Sequence, residues 1–146
     1  MNKPQLLEII HQKISEKIQK LEQLIAETRA SNNETKSSMG DKYETSREMI
    51  QQEINNLQLQ LNEHLKSLQI LKNINPISHK TVGLGSLVET EKGMFFIAVS
   101  LGELSFNQEK IFVVSAESPL AKAMNGKKIG ETFIVNNLSQ TIKNIW

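Results

Sequence analysis

Residues 7–25 read LEIIHQKISEKIQKLEQLI, and the reading of this stretch decides how the chain folds. Its apolar residues recur at Leu7, Ile10, Ile14, Ile18, Leu21, Leu24 and Ile25, followed by Thr28. Steps of three and four over this length describe a helix with one apolar stripe. Lys13, Glu16, Lys17, Lys20, Glu22 and Glu27 take its other faces. Pro4 stands where a first-turn proline is tolerated, since the N–H it lacks has no intrahelical partner there. The helix is expected to start beside it.

The pattern returns at Ile50, Ile54, Leu57, Leu61, Leu65, Leu68 and Leu71. Both stripes are narrow, closer to a coiled-coil seam than to the broad face of a helix in a globule. Each helix therefore needs the other. Residues 31–40, SNNETKSSMG, are polar and rich in residues that weaken helices. A linker this short turns the two helices antiparallel. At 1.5 Å per residue, arms of about 30 residues reach on the order of 45 Å. Asn73-Ile74-Asn75-Pro76 ends the second arm, because proline disfavours helix in the residue before it. The expected division is a coiled-coil hairpin over 1–75, with an acidic tip near 37–46, and a second domain over 76–146.

The tip holds Asp41, the only aspartate in the chain, and Glu44 three residues on. Two readings stand side by side. Asp41 after Gly40 fits an N-cap with Glu44 reaching back, an Asp form of the capping box at the positive end of the helix dipole. Two carboxylates at a tip also fit a hard cation such as Mg²⁺, which prefers such oxygens but needs more than two protein ligands to be held tightly. The remaining ligands would then belong to a partner.

After Pro76 the period changes. Leu84–Thr90, Met94–Leu101 and Lys110–Ala116 are short runs rich in Val, Ile and Phe, separated by turn residues. Ser118 as N-cap, Pro119 as first helical residue and Asn125-Gly126 as terminator outline one short helix. Glu131–Asn136 and Leu138–Ile145 read as closing strands. The fold class is α+β: an antiparallel helical hairpin, then a small antiparallel sheet with one helix. Gly83-Leu84-Gly85 reads as a turn rather than a phosphate loop.

Composition narrows the function. With no cysteine, disulfides, thiolate metal sites and Cys nucleophiles are excluded. No apolar run approaches the roughly 20 residues of a membrane span, and the N-terminus lacks the apolar core of a signal peptide; the cytoplasm is the expected location. Residues 1–75 carry ten basic and ten acidic side chains and residues 76–146 seven and six, so charge gives no case for direct nucleic-acid binding. His11, His64 and His79 are isolated from one another, and His64 reads as a polar position on or beside the seam.

Two stretches together resemble the bacterial transcript-cleavage factors GreA and GreB. Met39-Gly40-Asp41-Lys42-Tyr43-Glu44 is similar to the family's Gly-Asp-x-x-Glu tip. Residues 115–130, SAESPLAKAMNGKKIG, are similar to the Ser-Pro-Ile/Leu-Ala-x-Ala-Leu-x-Gly-Lys-x-x-Gly signature of its C-terminal domain. The resemblance implies a C-terminal domain of FK506-binding-protein-like fold that docks on RNA polymerase, with Ser118, Pro119, Lys122, Lys127 and Lys128 as contacts. It implies a hairpin in the polymerase's secondary channel. There Asp41 and Glu44 would help hold a second Mg²⁺ shared with the polymerase, so that the polymerase cleaves backtracked RNA. The chain would be no enzyme by itself, would meet the RNA 3′ end only indirectly, and would work as a monomer. Thr45-Ser46-Arg47-Glu48 departs from the family's usual Asn-Ala-Glu-Tyr after the glutamate, and Tyr43 is bulky where small or polar residues are common. These departures keep open a regulator that occupies the channel without cleavage. Two readings outside transcription also stand: a coiled-coil adaptor, and a prolyl isomerase built on Phe95, Phe96, Phe106, Phe112, Phe133 and Trp146.

Overall fold

The computed structural model describes residues 2–36 and 44–146, with side chains described for 2–31 and 46–146. Two long helices open the chain, α1 (Lys3–Lys36) and α2 (Glu44–Lys72). Six strands and a short helix follow: β1 (Leu87–Thr90), β2 (Gly93–Ala98), β3 (Gly102–Phe106), β4 (Glu109–Ser115), α3 (Pro119–Met124), β5 (Thr132–Val135) and β6 (Leu138–Ile145). None of the helices is long and apolar enough to cross a membrane among the described residues.

The hairpin is built on most of the stripe expected from periodicity, but the expected positions Leu24 and Leu65 are exposed, and two further corrections apply. Leu6, Ile10, Ile14, Ile18, Leu21 and Ile25 are buried on α1, so Leu6 rather than the half-exposed Leu7 starts the seam. The four-residue step back from Ile10 leads to Leu6, and the neighbouring position rotates off the stripe. The second correction concerns the linker, since α1 runs through Lys36 and takes in the first six of its residues. Extending a formed helix fixes one residue per hydrogen bond, which weak formers tolerate far better than nucleation. Neither Gly nor Pro interrupts the chain between Pro4 and Gly40. On α2, Ile54, Leu61 and Leu71 are buried while Leu65 is exposed.

The chain separates into two compact units. One is Gln12–Leu68. The other joins Met1–His11 to Gln69–Trp146, so the root of the hairpin belongs with the sheet. Within this second unit Lys3 is only 4% exposed, and its Nζ donates to the Ile77 carbonyl at 2.7 Å. Burial pulls the Lys3 ammonium down from 10.5 to about 8. Burial, then the Lys3 charge, holds His79 below its ordinary value as well. A folded-state pKa below the unfolded one means that the unfolded chain binds more protons between about pH 8 and 10.5, so stability rises with pH across that window. Lys3→Met should lack this rise. The expected result in urea denaturation is a gap between wild type and variant that moves in favour of the wild type as pH is raised from 8 to 10.

The sheet order is β3-β4-β2-β1-β6-β5. Every pairing is antiparallel except β2 with β4, which runs parallel with Phe95 opposite Phe112. The expectation of a purely antiparallel sheet is corrected at this one pair. Its cause is β3, a strand with too few apolar residues to stand out as a run: β3 and β4 form an edge hairpin, and β4 lies between β3 and β2. That hairpin turns at Asn107 and Gln108, with φ of 51° and 68°. The β5–β6 hairpin turns at Asn136 and Asn137, with φ of 52° and 63°. Both pairs are left-handed, as the twist-compatible two-residue turn requires.

Strand β2 is buried at Met94, Phe95, Phe96, Ile97 and Ala98, so both faces of the sheet are covered there. On one face Val88, Phe95, Ile97, Phe133, Ile142 and Ile145 form a core with Ala121 and Met124 of α3. The opposite face carries Leu87, Phe96, Ile111 and Val113, all essentially inaccessible.

Candidate functional site: a capped helix beside an apolar groove

Ser118 has an extended backbone (φ −66°, ψ 151°), and its Oγ accepts the Ala121 N–H at 3.2 Å. Pro119 follows as the first residue of α3, where no N–H is needed. Ala121 and Met124 point into the core. Gly126 (φ 78°) and Gly130 (φ 90°) occupy left-handed positions that other residues adopt only with strain. Between them the chain is tied down, with Gly126 N donating to Val82 O and Val82 N donating to Lys127 O, both at 2.9 Å. Ser118, Pro119, Ala121, Met124, Gly126 and Gly130 of the 118–130 signature thus each have a structural task. Removing the cap by Ser118→Ala should cost about 1 kcal/mol, read as a lowered urea midpoint with unchanged slope.

The same helix forms one wall of an open groove of about 350 Å³, which also takes residues from β2, β4 and the β5–β6 hairpin. Ser118, Pro119 and Leu120 lie on the α3 side, Phe95 and Val114 on the sheet, and Val135, Asn136, Leu138 and Gln140 on the hairpin. Phe112 stacks on Phe95 with ring centroids 5.9 Å apart. Leu138, on the hairpin wall, is 55% exposed. Exposed apolar surface grouped around a groove marks a contact site more readily than scattered leucines do.

Of the five residues expected to dock, Ser118 and Pro119 line this groove. Lys122 is exposed on α3, with its Nζ 3.7 Å from Glu117 Oε2. Lys127 and Lys128 lie in the turn after α3, and the Lys128 N–H donates to Glu131 Oε1 at 3.1 Å. Neither ammonium pairs with a carboxylate among the described residues. The groove itself is not legible in the sequence. Its alternating strand residues look like ordinary core, and only the hydrophobic Val135 and Leu138 flanking the exposed Asn136-Asn137 turn hint at it.

Asp41, Tyr43 and the Glu44 side chain lie outside the described residues; α2 is described from Glu44 onward. No group of three or more His, Asp or Glu that could hold a metal occurs among the described residues. Arg47, three positions past Glu44, is half-buried with no hydrogen-bond partner for Nε among the described residues. Farther along the hairpin His64 is half-buried in a notch of about 190 Å³ with Lys17, Lys20, Leu21, Leu24 and Gln60. Burial first, and Lys17 second, hold its pKa below the usual value. A neutral polar residue beside the seam accounts for it. Of the six aromatic residues of the prolyl-isomerase reading, Phe95 lines the groove.

No protein-family model matches the chain, and no curated protein matches it. Among solved structures, it is similar to the GreA factor homolog 1 (Gfh1) of Thermus thermophilus at 17% identity and a TM-score of 0.39, over 93% of this chain and 94% of that one. A structure of the transcription factor Gfh1 follows at 16% identity and 0.38, over 91% and 89%. Thermus aquaticus Gfh1 is similar at 17% and 0.36, over 92% of each chain. Likenesses at this level carry neither a family nor a function over to this chain.

Proposed function

We propose that this chain binds bacterial RNA polymerase, inserts its hairpin in the secondary channel and stimulates cleavage of backtracked RNA. The observation that supports this most is the pairing of two motifs with two matching settings. Gly40-Asp41 falls in the connection between two long helices, and the 118–130 signature wraps a capped helix beside an open apolar groove. Docking in this reading uses the groove wall at Ser118 and Pro119, with Lys122, Lys127 and Lys128 around it.

The chemistry belongs to the polymerase. Two metal ions flanking a scissile phosphate stabilise both the attacking and the leaving oxygen. The polymerase's carboxylates would hold one Mg²⁺, and Asp41 with Glu44 would be the residues of this chain that help hold a second, which would supply charge stabilisation at the scissile phosphate and help orient the attacking water. A site split between two proteins explains why two carboxylates suffice on this side. The factor is then a cytoplasmic monomer that supplies ligands and catalyses nothing alone.

A purified backtracked elongation complex with Mg²⁺ provides the test. Added protein should shorten the RNA faster than polymerase alone does. Binding without faster shortening would favour the second reading, a regulator that occupies the channel, which the Tyr43 and Thr45-Ser46-Arg47-Glu48 departures support.

A further inference from the structure

The notch on the hairpin is lined by Lys17, Lys20, Leu21 and Leu24 of α1 and by Gln60 and His64 of α2, all within the Gln12–Leu68 unit. Its apolar members are the buried Leu21 and Leu24, a seam position that stays 42% exposed. Its polar members can all donate: two ammoniums, an amide NH₂ and an imidazole N–H. No carboxylate lines it. Glu63, beside His64 in the chain, pairs with Lys66 at 3.4 Å. Glu16 stands four residues before Lys20, where helix neighbours meet, yet among the described residues neither Lys17 nor Lys20 is ion-paired. Lys13, one turn before Lys17, shares its flank and adds to the positive field. Elsewhere on the hairpin polar neighbours join, as Gln23 does with Glu27 and Gln51 with Asn55, both at 3.1 Å.

Like charges three residues apart on a helix repel. The charge of Lys17 also reaches across to α2: burial first, and then Lys17, hold the His64 imidazole below its usual pKa against the opposing pull of Glu63. An anion seated among these groups relieves the repulsion. Donors arriving from both helices suit a tetrahedral group with several free oxygens better than a planar carboxylate, which has two. A phosphomonoester offers three such oxygens and close to two charges, whereas a backbone phosphodiester carries a single charge. The notch, about 190 Å³, has room for one phosphate and the atoms that carry it. We propose that it binds the terminal phosphate of a phosphomonoester, with Lys17, Lys20 and the His64 N–H on the phosphate oxygens and the ester carbons against Leu24. The polymerase reading is not needed for this, since every residue involved belongs to the shaft of the hairpin and none to the tip or to the groove beside α3.

The test follows the His64 Cε1–H resonance of the full chain by NMR during titration with glycerol 3-phosphate, at neutral pH and low, constant ionic strength. A saturable shift is expected, with a Kd on the order of millimolar for a few exposed charges. Repeated across the range of histidine titration, the saturated protein should show a higher His64 pKa than the free one. Lys17→Gln with Lys20→Gln should weaken binding about tenfold; glutamine is a good helix former, so the exposed substitutions leave the hairpin folded. Lys66→Gln, outside the notch, should bind as the wild type does. Dimethyl phosphate and acetate should each bind about tenfold more weakly than glycerol 3-phosphate. Absence of a saturable His64 shift, or affinity indifferent to the double variant, overturns the proposal. A loss in Lys66→Gln as large as in the double variant would mark general charge attraction, which also overturns it. Equal binding of dimethyl phosphate would assign the notch to a nucleic-acid backbone, and equal binding of acetate to an acidic polypeptide; either result contradicts a phosphomonoester site.

Discussion

Phe96→Ala should cost about 3–5 kcal/mol of folding free energy, the range for truncating a buried phenylalanine. Phe96 is 0% exposed on β2, which is flanked by β1 and β4, with Leu87 and Val113 opposite it. No neighbour can collapse into the space without moving a paired strand, so the cavity persists and its cost adds to the lost burial. Since small domains have only about 5–15 kcal/mol in all, the second unit would sit near its unfolding threshold. Phe112→Ala is the control. That ring is partly exposed on the next strand and stacks on Phe95, so its loss should cost less: about 1 kcal/mol for the stack plus a partial burial loss. Guanidinium denaturation of both variants checks the ranking; equal losses would place Phe96 outside the core described for it.

The second large effect is functional and separates the two roles open to the tip acids. A capping box accepts Asp or Asn at the N-cap and Glu or Gln three residues later. Asp41→Asn with Glu44→Gln therefore keeps the hydrogen-bonding pattern of a cap and removes both negative charges. The helix dipole loses favourable partners, a change of about 1 kcal/mol at most for each. If the pair holds Mg²⁺ in the polymerase, cleavage of backtracked RNA should fall about 100-fold, the scale seen when a preorganised charge-stabilising group is removed from a transition state. Binding to polymerase should stay close to wild type. If the double variant cleaves as the wild type does, Asp41 and Glu44 are caps and nothing more.

Much of the architecture is legible in the amino-acid sequence. The seam at Ile10, Ile14, Ile18 and Leu21, the stop before Pro76 and the Ser118-Pro119 start of α3 are local signals whose physics lies within a few residues. The features that are not legible depend on longer range. Strand β3 is five residues with a glycine at its head, and its Leu104–Phe106 alternation is too short to stand out. Its turn is Asn-Gln rather than the Asn-Gly that marks such hairpins in sequence. The parallel β2–β4 pair follows from that inconspicuous strand. The polar run after Ser31 suggests a loop, yet helix continues to Lys36 because propagation outweighs weak propensity. Gln140 carries no sequence signal at all. A glutamine in an alternating strand reads as a solvent position, and only its partner Thr90, fifty residues away in sequence, makes it a buried one. The candidate docking residues are accessible to pattern matching, whereas the groove they border is a product of tertiary packing.

The central claim is that this chain is a polymerase-binding factor. Mixing the full-length protein with purified bacterial core RNA polymerase and measuring the mass of the product tests it most directly. The expected result is a one-to-one complex with low-micromolar or tighter affinity, weakened by Leu138→Arg on the groove rim. A polymerase mass unchanged at saturating protein would contradict the account, whatever the tip acids do.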